Sequence, residues 1–377
     1  MVAARRFRAE ALTRSRIVAI ALVAASLSAC TVSHRMRQVP VSESVDYQCA
    51  ARSAGAGGDV RWFGPEREAD RRTLAAWCSA VGPVAFIPEP ARDQPTSASD
   101  SMLAVGTWNV HVGGGDLPEF LRSELGYECA ADDPTGFREH FVLLVQEAYR
   151  ASASVPVAPE GAIVSDRIAG KPPNGPRLDI VHVAEECGLA LFYAPSTRNG
   201  KEAGEDGRED RGSAILSTLH LSDPMAVELP LEAQRRVTVG ATAAVAGDLG
   251  LRAASVHFDV ASNILRVLST GGSMRVRQND GQTEALDSLD PEGTLPIVVG
   301  GDLNTWSSRE TVIQRMLVSY PESPDPGREK TRGNWPPDHL FFRAGDGPFE
   351  LLEGSYRVVE DYHGSDHKAR LARFVLR

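Results

Sequence analysis

The stretch Pro296-Ile297-Val298-Val299-Gly300-Gly301-Asp302-Leu303-Asn304 decides how this chain reads. Its β-branched residues favour a strand, and the apolar run is short enough to be a buried one. It ends on a carboxylic acid and an amide. Taken singly, Gly-Asp-Leu-Asn is also an ordinary turn, since Gly, Asp and Asn all favour turns. The choice between a turn and a strand that delivers two polar side chains to a pocket depends on the rest of the chain.

Working outward, the same design recurs. The run Leu103–Trp108 ends at Asn109, Phe141–Gln146 ends at Glu147, and Ala253–Val256 ends at His257. A strand begins at Asp338, and Ser365, Asp366 and His367 stand just before the last strand. Apolar runs predict strands at 103–109, 140–146, 189–194, 213–218, 235–246, 251–257, 296–301, 338–342 and 369–376. Helical spacing is read at 66–78, 116–126, 274–289 and 308–319. Many strands with few scattered helices predict two sheets packed face to face, with helices outside. Three long polar loops, 196–212, 261–273 and 321–337, are the kind that carry function or disorder. There is no internal repeat.

Polar groups at strand ends on one rim form a set suited to phosphoester hydrolysis. That reaction needs hard oxygen ligands for a divalent ion, an oriented water, and donors for developing charge. The ordered motifs are Thr107-Trp108-Asn109-Val110, Gln146-Glu147, Gly212-Ser213-Ala214-Ile215-Leu216-Ser217, Val256-His257-Phe258-Asp259, Gly301-Asp302-Leu303-Asn304 and Ser365-Asp366-His367. Together they resemble the endonuclease/exonuclease/phosphatase superfamily over residues 102–377. The resemblance implies an α+β fold, a four-layer α/β/β/α sandwich of two mostly antiparallel sheets with helices outside. It implies a metal-dependent phosphoric ester hydrolase, most simply a phosphodiesterase acting on nucleic acid or a phospholipid headgroup. The cofactor would be Mg²⁺, with Mn²⁺ or Ca²⁺ as alternatives. Carried over residue by residue, Glu147 binds the metal, with Asn109 beside it and Asp366 in support. Asp302 orients or deprotonates the attacking water, and Asn304 holds that water or a phosphate oxygen. His367 faces the phosphate and is held by Asp338. His257 donates to a phosphate oxygen or assists the leaving group, and its presence resembles pancreatic-type deoxyribonucleases, neutral sphingomyelinases and inositol-phosphate phosphatases. The competing reading is a catalytically inactive extracytoplasmic binding protein on the same fold. A missing ligand would mark it, and none is missing. A toxin-like effector is a further reading.

Other residues are open on sequence alone. His111 is either a substrate contact or a plain loop residue. Gly113-Gly114-Gly115 reads as a flexible turn more readily than as a phosphate cradle. His339, next to Asp338 on an alternating strand, should point away from the pocket. His363 carries little functional signal. Arg235 and Arg236 start a strand, and a structural or solvent role is expected for both. No Arg-rich or aromatic stripe marks a nucleic-acid groove. No long hydrophobic hairpin resembles the membrane-inserting feature of secreted bacterial sphingomyelinases.

The N-terminus reads as an address. Arg5, Arg6, Arg8, Arg14 and Arg16 precede an apolar run from Ile17 to Leu27, the pattern of a secretory signal over residues 1–29. Leu27-Ser28-Ala29-Cys30 looks like a bacterial lipobox. It implies lipidation of Cys30 and a lipid-anchored tether over 30–48. Thr31 after the cysteine favours the outer membrane. A small cysteine-stapled extension and linker follow at 49–101, then the catalytic domain at 102–377. The chain of 377 residues carries a net charge of −10; removing five Arg and one Glu with residues 1–29 takes away +4 and leaves −14. No broad basic surface is implied, and no protein partner. No internal run reaches the roughly 18 apolar residues of a membrane span. Cys49, Cys78, Cys129 and Cys187 remain, an even number suited to an oxidising compartment. Of three possible pairings, Cys49–Cys78 and Cys129–Cys187 are favoured because each lies within one region. Closing a loop of about 30 residues would stabilise the fold by roughly 3–4 kcal/mol.

Overall fold

The computed structural model describes residues 35–39, 49, 60–91, 102–129, 139–157, 175–199, 207–246, 249–260, 273–327 and 329–377. The expected signal peptide, Cys30, most of the tether, the linker from 92 onward and residues 261–272 lie outside the described residues.

In chain order the elements are β1 (Met36–Gln38), β2 (Arg61–Pro65), α1 (Glu68–Cys78), β3 (Ala85–Ile87), β4 (Met102–Asn109), α2 (Leu117–Leu125), β5 (His140–Ala151), α3 (Ile180–Cys187), β6 (Ala190–Arg198), β7 (Glu209–Ser217), β8 (Leu221–Glu228), β9 (Val237–Ala246), β10 (Leu249–His257), α4 (Ser273–Asp287), β11 (Ile297–Asp302), α5 (Thr311–Ser319), β12 (Asp338–Arg343), β13 (Phe349–Leu351), β14 (Arg357–Val358) and β15 (Arg370–Leu376). One sheet runs β1-β2-β8-β9-β10-β11-β12, and the other β13-β15-β4-β5-β7-β6-β3 with β14 beside β15. Most pairs are antiparallel; β2–β8, β4–β5 and β10–β11 are parallel. The expected α+β sandwich is what forms.

Three apolar layers hold it. Val105, Leu144, Phe192, Val239, Val298 and Phe342 meet between the sheets. Trp108, Phe120, Leu121, Val183 and Ala184 pack α2 and α3 on the outside of the second sheet. Ala285, Leu286, Val299, Ile313 and Met316 pack α4 and α5 on the outside of the first. Local chemistry starts these helices. The Asp116 side chain caps α2 by accepting from the Glu119 N–H, and Gly126 closes it in the left-handed region. Asp179 caps α3 through Val181 and His182, and Gly188 ends it. Among the described residues, no helix is long and apolar enough to cross a membrane.

Two differences from the sequence reading concern the N-terminal region. Met36–Gln38, expected within a tether, form β1 and pair with β2. The unit expected to extend from the fold is built into it: β2 lies beside β8 in one sheet, and β3 beside β6 in the other. The cause is burial, since Trp62, Leu74 and Cys78 complete the layer between the sheets. Both favoured disulfides form, Cys49–Cys78 and Cys129–Cys187. The second joins the segment after α2 to the end of α3.

Candidate active site

The rows of apolar residues between the sheets turn polar at one end. Val298 and Gly300 lead to Asp302, Phe342 and Leu340 lead back to Asp338, and Leu103 and Val105 lead through Thr107 to Asn109. Strand residues two apart share a face, so these acids and amides inherit the inward direction of the core. Register aligns them: His257 is level with Asp302, and Asp302 with Asp338. A polar floor separates the site from the apolar layer. Gln146 donates to Ser255 Oγ (3.0 Å), Thr107 Oγ1 (3.1 Å) and the Leu144 carbonyl (3.0 Å). Gly300 lets the sheets approach here. A Cβ there would stand 2.4 Å from Leu340 and 2.8 Å from Leu144.

Asp302 is the centre of the cluster. Its Oδ2 accepts from Asn109 Nδ2 (3.0 Å) and lies 3.4 Å from His257 Nε2 and 3.8 Å from His367 Nε2. Its Oδ1 accepts from the Asn304 N–H (2.7 Å). Burial, together with the nearby Asp338, pushes the carboxyl up to about 6, against the pull of His367 and of its donors. His367 donates from Nδ1 to Asp338 Oδ2 (2.8 Å). Burial opposes its charge, but Asp338 and then Asp302 overcome this and raise it to about 9. Asp338 is held below the usual carboxylate range because the His367 charge outweighs burial. The imidazole is also fixed through its backbone. Trp108 Nε1 donates to the His367 carbonyl (3.0 Å), and Ser365 Oγ joins the His367 N–H (3.1 Å) to the Asn109 carbonyl (2.6 Å).

His257 differs in kind. Its Nδ1 lies 2.9 Å from Arg236 Nη1. A guanidinium can only donate, so Nδ1 accepts and Nε2 carries the proton toward Asp302. Burial, reinforced by Arg236 and Arg211, holds this imidazole well below its ordinary pKa. His257 is therefore a fixed neutral donor.

Glu147 and Asp366 face cations. Glu147 sits where β5 shifts register, with φ +53°. Alternation alone would turn it to the helix side, and the bulge re-aims it. Its Oε1 lies 3.6 Å from Arg211 Nη1. Asp366 Oδ2 accepts from Arg332 Nη2 (2.7 Å), and its Oδ1 stands 3.9 Å from both His111 Nδ1 and His367 Nε2. His111, Val112, Glu147 and Asn304 all adopt positive φ, between 48° and 56°. Such backbone strain gathers at functional sites and persists only where the surroundings hold it.

As a donor set, Asn109, Glu147, Asp302 and Asp366 offer hard oxygens, which suit Mg²⁺, Mn²⁺ or Ca²⁺. The guanidiniums beside Glu147 and Asp366 mark where positive charge is wanted. The ligand atoms of Asp302, Asp338 and His367 also lie within 4.8 Å of one another. Within that trio Asp338 is already engaged by His367 Nδ1 (2.8 Å), which leaves it less suited to a metal than the oxygen donors above.

The structure thus brings Asn109, His257, Asp302, Asn304, Asp338, Asp366 and His367 into one linked cluster. Glu147 stands in it through Arg211, whose guanidinium neighbours Arg236. His339 points away, as expected, to Thr305 Oγ1. Asn304 directs its Nδ2 to the Phe258 carbonyl (2.9 Å). The sequence reading missed Arg236, given a structural or solvent role, and Arg211 and Arg332, not singled out at all. Arg235 is structural, buried against Glu228 and the Pro195 and Ser196 carbonyls. Arg236 precedes the first residue of β9, where strand alternation no longer dictates direction. The visible signal for Arg211 is its place beside Gly212, whose Cβ would collide with the Ala194 carbonyl at 2.0 Å.

A sequence model of the endonuclease/exonuclease/phosphatase family matches residues 106–367. No curated protein matches the chain. Similar solved structures include an endonuclease/exonuclease/phosphatase from Beutenbergia cavernae DSM 12333, at 16% identity, 73% of this chain, 72% of that chain and TM-score 0.47. The human nocturnin catalytic domain is similar at 14% identity, 78% of this chain, 98% of that chain and TM-score 0.46. Sphingomyelinase C from Streptomyces griseocarneus is similar at 14% identity, 72% of this chain, 99% of that chain and TM-score 0.42. The family model spans every residue of the cluster from Asn109 to His367, and the chain belongs to the endonuclease/exonuclease/phosphatase family.

Proposed function

We propose that this chain is an exported, lipid-anchored hydrolase of phosphoesters, dependent on a divalent ion, with Mg²⁺ as the natural choice for its oxygen donors. The observation that carries the reading is the Asp302 cluster: a buried carboxylate facing a charged imidazole held by a second carboxylate. In this reading Asp302 takes the proton of the attacking water, which its raised pKa equips it to do near neutrality. Asn304 and Asn109 keep the carboxylate aimed. His367, charged and locked by Asp338, donates from Nε2 to a phosphoryl oxygen as negative charge develops. His257 donates without changing charge. Arg211 and Arg236 make the wall beside it positive. Glu147, with Asn109 and Asp366, would hold the divalent ion, which supplies Lewis-acid stabilisation and orientation. The substrate is a phosphodiester in a nucleic acid or a phospholipid headgroup. Anchoring at Cys30, in the outer membrane facing the periplasm or the surface, rests on the lipobox-like sequence.

The test is activity of the mature chain from Thr31, with Mg²⁺ and with chelator. The substrates are plasmid DNA, RNA, sphingomyelin, phosphatidylinositol phosphates and bis-p-nitrophenyl phosphate. Chelator-sensitive cleavage of one class is expected. Silence across the panel, with no metal bound in a calorimetric titration, overturns the reading in favour of a binding protein.

A further inference from the structure

Arg332 belongs to none of the motifs, yet it lies on the site. It sits in a tight turn whose ends are closed by Arg332 and Trp335, each backbone N–H donating to the other's carbonyl (3.1 and 2.9 Å). Gly333 takes φ +53° to make the turn. The base of the turn is anchored to the His367–Asp338 pair. Buried Thr331 accepts the Lys368 N–H at its carbonyl (2.7 Å) and the Asp338 N–H at Oγ1 (3.4 Å). The backbone of the tip is held outside the site, where Trp335 packs on Trp306 (ring centroids 5.1 Å) and Lys330 Nζ donates to Asn334 Oδ1 (3.0 Å), but the Arg332 side chain is 48% exposed. One residue beyond a rigid anchor, a long cationic side chain reaches back over the site and takes Asp366 at 2.7 Å.

That contact competes with the role of Asp366. The same carboxylate stands 3.9 Å from His367 Nε2 and from His111 Nδ1, so positive and polar groups already surround it. Burial opposes the Arg332 charge, but Asp366, then Asp302 and Glu147, reinforce it. It is a monovalent cation felt by three carboxylates that a divalent ion would also use. A dication entering among them repels the guanidinium and attracts each carboxylate about twice as strongly at equal distance.

We propose that Arg332 is the resident counter-ion of Asp366 before metal arrives, and that a divalent ion displaces it, freeing the guanidinium for the phosphoester. The inference rests on the metal-dependent reading above and adds to it a coupling between metal and substrate. Displacement needs only a rotamer change of the half-exposed Arg332 side chain, with the turn backbone and Thr331 as the fixed points. Released beside the site, a planar guanidinium offers a bidentate contact to two phosphoryl oxygens.

The experiment is calorimetric titration of the full mature chain with Mn²⁺ alone, without substrate. The proteins are wild type, Arg332→Gln, Asp366→Asn and the double variant, with melting temperatures as the folding control. Arg332→Gln is expected to bind Mn²⁺ at least about tenfold more tightly, because the competing charge is gone. In the Asp366→Asn background the same change should alter affinity by less than about twofold, since the two charges no longer couple. For a cleaved phosphoester, Arg332→Gln should raise KM more than it lowers kcat. Unchanged or weaker Mn²⁺ binding by Arg332→Gln, in a protein whose wild type binds the ion, overturns the displacement and leaves the phosphoesterase reading standing. A wild type that binds no divalent ion overturns both.

Discussion

At the residue scale, the site works by placing identical chemical groups in different surroundings. Two imidazoles lie near one Asp302 oxygen. His367 has a carboxylate behind it and is raised to about 9, whereas His257 has Arg236 behind it and stays neutral. Two carboxylates diverge likewise: Asp338 is held low by its imidazole, and Asp302 is pushed up to about 6. Pairs of groups driven apart in this way divide acid and base roles. The signs define a pH profile. In the proposed mechanism Asp302 must lose its proton to accept one from water and His367 must keep its own to donate, so kcat/KM is expected to rise with pH through about 6. It is expected to fall as pH passes about 9. Between them a plateau is expected. Asp302→Asn should remove several orders of magnitude of turnover at every pH. A profile flat from pH 5 to pH 10, or an Asp302→Asn enzyme with near-normal turnover, would sink the assignment; the pH span is chosen to bracket both groups by about one unit.

At the scale of elements, buried charge ties the N-terminal region to the sheet that bears half the site. Asp210 on β7 accepts from Arg150 on β5 (2.6 and 3.0 Å), from the Tyr193 hydroxyl on β6 (2.8 Å) and from the Gly82 N–H (2.8 Å). Arg150 also donates to the Pro83 carbonyl (2.7 Å). The two side chains are 4% and 0% exposed, so neither has water to fall back on. Asp210→Ala would leave a buried guanidinium uncompensated and should cost about 3–5 kcal/mol in denaturant unfolding. A loss under about 1 kcal/mol would show that this network holds little of the fold. Elements missed from sequence have local reasons. β8 contains Pro224 at a register shift, with Asp223 at φ +49°, and a proline inside a strand pattern argues against a strand. α3 has only eight residues, and Asp179 and Gly188 at its two ends were the legible signals.

At the scale of the whole molecule, the boundary read at residue 102 is not a folding boundary. Strands before it finish both sheets, Trp62 and Leu74 lie in the layer between them, and Cys49–Cys78 closes the region. A chain beginning at Met102 should therefore be insoluble or melt well below the mature protein, by about 10 °C or more, which at this size corresponds to a loss of roughly 6–7 kcal/mol. Scanning calorimetry of the two proteins checks this, and equal melting temperatures would restore the idea of a separable extension.

Most of the polar strand ends can be read directly from the order of residues. Asn109, His257, Asp302 and Asp338 were legible because apolar runs meet them and a two-residue period carries the direction of the core into them, and Asn304 and His367 because they stand next to such runs; Glu147 also follows an apolar run, but its direction is set by the bulge in β5. The cysteine pairs were legible for a similar reason, since each lies within one stretch of chain. Features that depend on groups distant in sequence emerge when the chain folds. The neutral state of His257 comes from its burial in the packed site, reinforced by Arg236, 21 residues away. The counter-ion of Asp366 comes from Arg332, 34 residues away. The inclusion of β1, β2 and β3 comes from open sheet edges on strands far along the chain. An arginine's partner is set by three-dimensional proximity in a low-dielectric interior, and no periodicity in the chain records it.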